Sequence, residues 1–134
     1  MDKQITGLAG EYFVAAELLK RGWQVAMTLG NSKAIDLIAT NESGQTLRIQ
    51  VKTLRSGPNC FTLHTEKIKS EDFYVFVYLN GEEEQPNFFI VKGEELLSDK
   101  THYYGASLGR SDLRETVNHG PLQEHKNQWH KLNK

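Results

Sequence analysis

A single cysteine, Cys60, occurs in the 134 residues. It has no partner for an internal disulfide, and one thiol is too few for a cysteine-based zinc site. That usage fits a reducing cytosol and a cytoplasmic protein. Neither sign of charge is in excess: 16 Lys and Arg stand against 17 Asp and Glu, a net charge of -1. The total charge therefore advertises no polyanion partner, and any nucleic-acid contact must come from local patches. No apolar run approaches the roughly eighteen residues needed to span a bilayer, and Met1-Asp2-Lys3-Gln4 does not begin a signal peptide, so no membrane association is expected. The dinucleotide-binding, phosphate-loop and His-Glu-x-x-His motifs are all missing. His64 stands alone, and His102, His119, His125 and His130 lack the spacing of a metal cluster.

The size is common for one domain, and 38% hydrophobic residues can fill a sizeable core. From about Thr6 to Arg21 the apolar positions Ile5, Leu8, Tyr12, Ala15, Ala16 and Leu19 follow helical spacing, with Gly22 as the stop. They predict an amphipathic helix. Glu11 lies about 100° from the centre of that apolar stripe, at its border beside Leu18, where it can look toward a sheet edge. Trp23 to Met27 reads as a strand, and Thr28 to Lys33 as a loop. Gly57-Pro58-Asn59 marks a turn and Cys60 to His64 a short strand. Phe73 to Leu79 is aromatic and β-branched throughout, the pattern of a central strand covered on both faces. Asn87 to Lys92 is its partner, reached through the solvated acidic tip Glu82-Glu83-Glu84, and a short helix follows around Glu94 to Leu97. Asp99 to Gly120 shows little periodicity. Leu122 to Leu132 closes with a short helix anchored by Trp129. The order implies a single α/β domain over residues 1–134, an N-terminal helix followed by a mixed central sheet flanked by helices.

The chemistry gathers in two apolar runs. Asp36 interrupts Ile35-Asp36-Leu37-Ile38-Ala39, although aspartate is depleted in strands and costly to bury without a partner. Leu47 to Thr53 alternates apolar and polar, and carries Gln50 and Lys52 on one face. For those two residues alone, an ordinary half-exposed strand is the simpler explanation; Asp36 changes the balance. Asn41-Glu42-Ser43-Gly44-Gln45 suits a hairpin connection. A hairpin symmetric about Ser43 sets Asp36 opposite Gln50, so that Asp36, Gln50 and Lys52 share a sheet face, and a slip by one residue turns Asp36 away.

The helix with Gly10-Glu11 and Ala15-Ala16-Glu17-Leu18-Leu19, then Gly22-Trp23, Ile35-Asp36-Leu37-Ile38 and Ile49-Gln50-Val51-Lys52-Thr53, resembles the PD-(D/E)xK nuclease superfamily. The nearest likeness is to Holliday-junction-resolvase-like and restriction-endonuclease-like domains, in a Gln-x-Lys variant. The core motifs cover residues 6–55, and the remaining sheet and C-terminal helices residues 60–132. The resemblance makes Asp36 the metal-binding aspartate, Lys52 the catalytic lysine, and Glu11 the helix glutamate that supports the metal. Gln50 holds the slot usually taken by Asp or Glu; its neutral oxygen can coordinate Mg²⁺ but adds no charge. Ile35 stands where the family name places proline, away from the chemistry. The implied activity is Mg²⁺-dependent endonucleolytic hydrolysis of DNA, with Mn²⁺ as a substitute. Lys33, Arg48 and Arg55 are candidates for backbone phosphate contacts, although solvated surface charge describes each equally well. Cutting a duplex or junction calls for two active sites, which makes a homodimer a candidate assembly. Two other readings stay open: a nuclease-like module that binds without cutting, and an unrelated α/β protein with an Asp36–Lys52 ion pair across the hairpin.

Overall fold

The computed structural model describes residues 3–28, 35–56, 60–110 and 115–133. Helix α1 spans Lys3–Lys20. It ends where the sequence places its stop: Gly22 turns left-handed at φ 93°, the Trp23 N–H donates to Leu18 O, and the Gly22 N–H donates to Leu19 O, both at 3.0 Å. This is a Schellman cap, and Leu18 and Trp23 continue it into the core as its apolar contact.

Five strands form one mixed sheet in the order β1-β2-β3-β5-β6. They are β1 (Gln24–Met27), β2 (Leu37–Thr40), β3 (Thr46–Leu54), β5 (Phe73–Tyr78) and β6 (Asn87–Lys92). Neighbours are antiparallel except β3 and β5, which run parallel. Every residue of β5 is buried, as its aromatic and β-branched sequence requires. Val75 and Val77 face a core layer with Val14, Leu18, Ile49, Val51 and Trp129. Tyr74, Phe76 and Tyr78 face a second layer built from Phe61, Phe89, Leu96, Tyr104 and Leu122. Both faces of the sheet are therefore covered.

The weakly periodic stretch from Asp99 holds helix α3 (Lys100–Tyr104), just after α2 (Gly93–Ser98), and strand β7 (Thr116–Val117), which pairs with β4 (Phe61–Thr62) in a separate small sheet. After α4 (His119–Leu122) the chain ends in single 3-10 turns that bury Trp129 and Leu132. A polar cluster ties this end to α2 and α3. The Lys131 ammonium lies 2.6 Å from His125 Nδ1 and 3.1 Å from Glu95 Oε1, while Tyr103 Oη is 2.7 Å from His125 Nε2.

The register is as expected: Leu37 pairs with Ile49 and Thr40 with Thr46, so the hairpin is centred on Ser43. The predicted apolar stripe of α1, however, is not the face that packs on the sheet. The buried residues are Thr6, Gly10, Glu11, Val14, Ala15 and Leu18, whereas Ile5, Leu8, Tyr12 and Leu19 are exposed. Close approach decides the matter. Gly10 lies so near β3 that an added Cβ would sit 1.8 Å from Thr53 Oγ1, and only the face carrying Gly10, with Val14 and Leu18 in line beside it, can come this close. Consequently Glu11 is on the packed face and 7% exposed, not at its margin.

Candidate active site

Asp36 occupies the bend just before β2. Its own N–H donates to Ile49 O at 3.2 Å, and its carboxylate Oδ2 accepts the Val51 N–H at 2.7 Å. The side chain is thereby anchored on β3 between Gln50 and Lys52. Extending the observed register by one residue also sets Asp36 across from Gln50. The carboxylate replaces a carbonyl as acceptor at a point where the ladder becomes irregular, which satisfies a backbone donor and fixes the acid in place.

The parallel pairing aligns Gln50 with Tyr74 and Lys52 with Phe76, so both side chains leave β3 toward the second core layer. Gln50 Nε2 donates to the Tyr74 hydroxyl at 3.4 Å, a long contact, and that hydroxyl also accepts the Lys69 N–H at 3.1 Å. Burial pushes the Tyr74 phenol up, so it keeps its proton at neutral pH. Lys52 lines two cavities. One, of about 370 Å³, is bounded by Lys3 and Thr6 of α1, residues 52–55 and Cys60 to Thr62. The other, of about 470 Å³, is bounded by Arg48, Gln50, Lys67, Lys69 and Asp72 among others. Glu11 belongs to the helix layer over the opposite face of β3, next to the Gly10–Thr53 contact.

Of the basic residues singled out in the sequence, Arg55 is exposed beside Lys52 in the first cavity. Arg48 lines the second, where its Nε lies 3.3 Å from Asp72 Oδ1. Lys33 lies outside the described residues. Sequence reasoning passed over Asp72, Lys67 and Lys69. Asp72 is fully buried, and the Arg48 contact, although close, is not aligned as a hydrogen bond, so among the described residues neither carboxylate oxygen has a donor. Its place directly before the apolar run Phe73 to Leu79 was a usable signal, because a parallel neighbour for β3 brings residue 72 beside residue 48. Lys67 ends, and Lys69 follows, a short 3-10 turn whose role no spacing reveals.

Among the described residues no three His, Cys, Asp or Glu side chains form a metal-binding group. The oxygen donors brought together are the Asp36 carboxylate and the Gln50 amide, with Glu11 in the helix layer over the other face of β3. Their chemistry suits a hard divalent cation such as Mg²⁺, with one charge fewer than an Asp or Glu at position 50 supplies. No helix among the described residues is long and apolar enough to cross a membrane.

Among solved structures, the chain is similar to a bacterial homing endonuclease, I-Ssp6803I, with a TM-score of 0.63 and 18% identity over 98% of this chain and 93% of that one. It is also similar to Hjc, a Holliday junction resolvase from the archaeal hyperthermophile Archaeoglobus fulgidus, with a TM-score of 0.56 and 14% identity over 94% of this chain and 93% of that one. At these identities the likeness establishes the restriction-endonuclease-like fold. No curated protein sequence matches this one. The family model for PD-(D/E)XK endonucleases matches residues 1–96, a span that contains Glu11, Asp36, Gln50 and Lys52, and nucleases of this kind generally use divalent metals. The chain belongs to the PD-(D/E)XK endonuclease family.

Proposed function

We propose that this protein is a Mg²⁺-dependent endonuclease that hydrolyses phosphodiester bonds in DNA, with Mn²⁺ able to substitute, and that it acts in the cytoplasm. The observation that carries the reading is the Asp36 carboxylate held on the Val51 N–H between Gln50 and Lys52, in a chain of a nuclease family. Asp36 and the Gln50 amide oxygen are the residues that would hold the metal, whereas Glu11, in the helix layer over the other face of β3, is not placed as a direct ligand. A divalent ion held there would supply Lewis-acid polarisation of the phosphate and acidify the attacking water. The Tyr74 hydroxyl takes up the NH₂ of Gln50, which leaves the amide oxygen available as a ligand. Lys52 lines both cavities; it orients the attacking water and stabilises charge developing on the phosphate. Arg48, Arg55 and Lys33 contact the backbone phosphates, joined by Lys67 and Lys69 on the rim of the larger cavity. This local patch supplies what the near-neutral total charge does not.

Gln50 favours a second reading, a domain that binds DNA without cutting it, because an amide in place of a carboxylate weakens the hold on a cation. Cleavage of duplex and junction DNA by the wild type, Asp36→Ala and Lys52→Ala, with binding followed in Ca²⁺, separates the two. The nuclease reading expects Asp36→Ala to abolish cleavage with the fold intact. It expects Lys52→Ala to keep metal binding while the rate falls by roughly two to four orders of magnitude. Wild-type cleavage that survives Asp36→Ala at limiting Mg²⁺ eliminates the site, and binding without cleavage under either metal assigns the second reading.

A further inference from the structure

All the large apolar side chains that stand exposed among the described residues lie on one helix. They are Ile5 (54% exposed), Leu8 (40%), Tyr12 (61%), Phe13 (44%) and Leu19 (57%). At 100° per residue, Ile5, Leu8, Tyr12, Ala16 and Leu19 fall within a stripe about 80° wide, directly opposite the face that packs on β3. No charged residue falls inside that stripe. Glu11 is on the packed face, and Lys3, Glu17 and Lys20 flank the stripe or lie behind it. A solvent-facing helix surface of a monomer is normally polar, and α1 is instead apolar on both sides.

The spacing of the stripe identifies its occupant. The positions 5, 8, 12, 16 and 19 are symmetric about Tyr12, with steps of three, four, four and three. Two copies of α1 packed antiparallel about a two-fold axis through Tyr12 therefore bring Ile5 against the other copy's Leu19 and Leu8 against its Ala16, while Tyr12 meets its own equivalent. This is the self-complementarity that an isologous interface requires, and the mix of three- and four-residue steps suits helices crossing at a shallow angle. The four large side chains of the stripe, Ile5, Leu8, Tyr12 and Leu19, leave on the order of 450 Å² in contact with water, about the largest apolar patch tolerated on a monomer. It is also more than half of the roughly 800 Å² that each partner buries in a stable complex. Ala9 and the stem of Lys20 border the stripe and extend it. A membrane surface is a poorer occupant, because an interfacial helix presents a basic polar face, whereas the far side of α1 is buried against the sheet.

We infer that the exposed face of α1 is a homodimer interface, in which two copies pair antiparallel through Ile5, Leu8, Tyr12, Ala16 and Leu19. The inference rests on the helix face and not on the catalytic reading.

Sedimentation or light scattering over micromolar to high-micromolar concentrations reads it directly, whether or not the chain cuts DNA. The wild type is expected at twice the chain mass of 15.3 kDa. Ile5→Lys and Leu19→Glu are both at exposed positions, so the fold, checked by circular dichroism, is retained. Each alone is expected to weaken the dimer at least tenfold, through a charge set against an apolar partner. Both substitutions on one chain are expected to restore it, because the antiparallel pairing sets the introduced lysine against the other copy's introduced glutamate. A wild type that stays monomeric throughout overturns the inference, including one that is monomeric and binds anionic vesicles. So does a dimer indifferent to both single substitutions, or a double variant that recovers nothing.

Discussion

Gly10→Ala separates two effects of opposite sign at the contact that seats α1 on the sheet. In a helix interior the change should stabilise by roughly 0.5–1 kcal/mol, because alanine loses less backbone entropy than glycine. Here the new Cβ would lie 1.8 Å from Thr53 Oγ1, 2.8 Å from its Cβ and 2.9 Å from its Cγ2, far inside the ~3.5–4 Å of a favourable contact. Rotating the threonine moves Oγ1 but leaves its Cβ too close, so the helix itself must lift. Val14 and Leu18, both fully buried on the same face, resist that movement. Overpacking of this kind costs about 1–3 kcal/mol. The net expectation is a loss of about 1–2 kcal/mol and a melting temperature lower by roughly 3–10 °C for a domain of this size. Gly7→Ala is the control, since nothing lies within 4 Å of its added Cβ, and it should raise the melting temperature by a few degrees through propensity alone. Scanning calorimetry on both variants decides. A Gly10→Ala protein as stable as Gly7→Ala refutes the close approach, and with it the placement of Glu11 at the base of the helix layer.

Replacing Gln50 by Glu should sharpen the dependence of the melting temperature on Mg²⁺ and lower it without metal, because two carboxylates then share the hairpin with no cation between them. Equal melting curves for wild type and Gln50→Glu across a Mg²⁺ titration refute a shared metal at Asp36 and residue 50. His125 is held below the usual histidine range by burial, with the Lys131 ammonium adding to the effect, so the folded state declines a proton that the unfolded chain accepts below pH 6.5. The stability it contributes is complete above that pH and is lost as the pH falls toward the folded value. His125→Gln should remove this step, and a stability–pH profile unchanged by the substitution would show that the histidine is not held neutral.

The hairpin was legible because two independent signals in it agree. A turn centred on Ser43 fixes the register, and the alternation of Leu47, Ile49 and Val51 fixes which face is buried, so Asp36 opposite Gln50 followed from arithmetic. Strand β5 was legible for a simpler reason, as a run with no polar position has no face to give to water. The orientation of α1 was not legible, because the helix carries two apolar faces and a hydrophobic stripe does not say what covers it. The larger side chains, Ile5, Leu8, Tyr12 and Leu19, define the stronger stripe. What seats the helix is a missing side chain at Gly10, and a glycine in a helical run reads as a weakness until its neighbour Thr53 is known. The second half of the site was hidden by separation in sequence. Asp72 comes beside Arg48, and the Tyr74 hydroxyl beside Gln50, only through the parallel pairing of β3 with β5, a long-range contact that no local pattern encodes. The same feature explains how the two layers meet at the site: β3, like its neighbour β5, lies between them, giving Gln50 and Lys52 to one face and Val51 and Thr53 to the other. A change that lifts α1 from Thr53 therefore reaches Lys52 through the strand they share, and the helix contact and the candidate chemistry are coupled by one backbone.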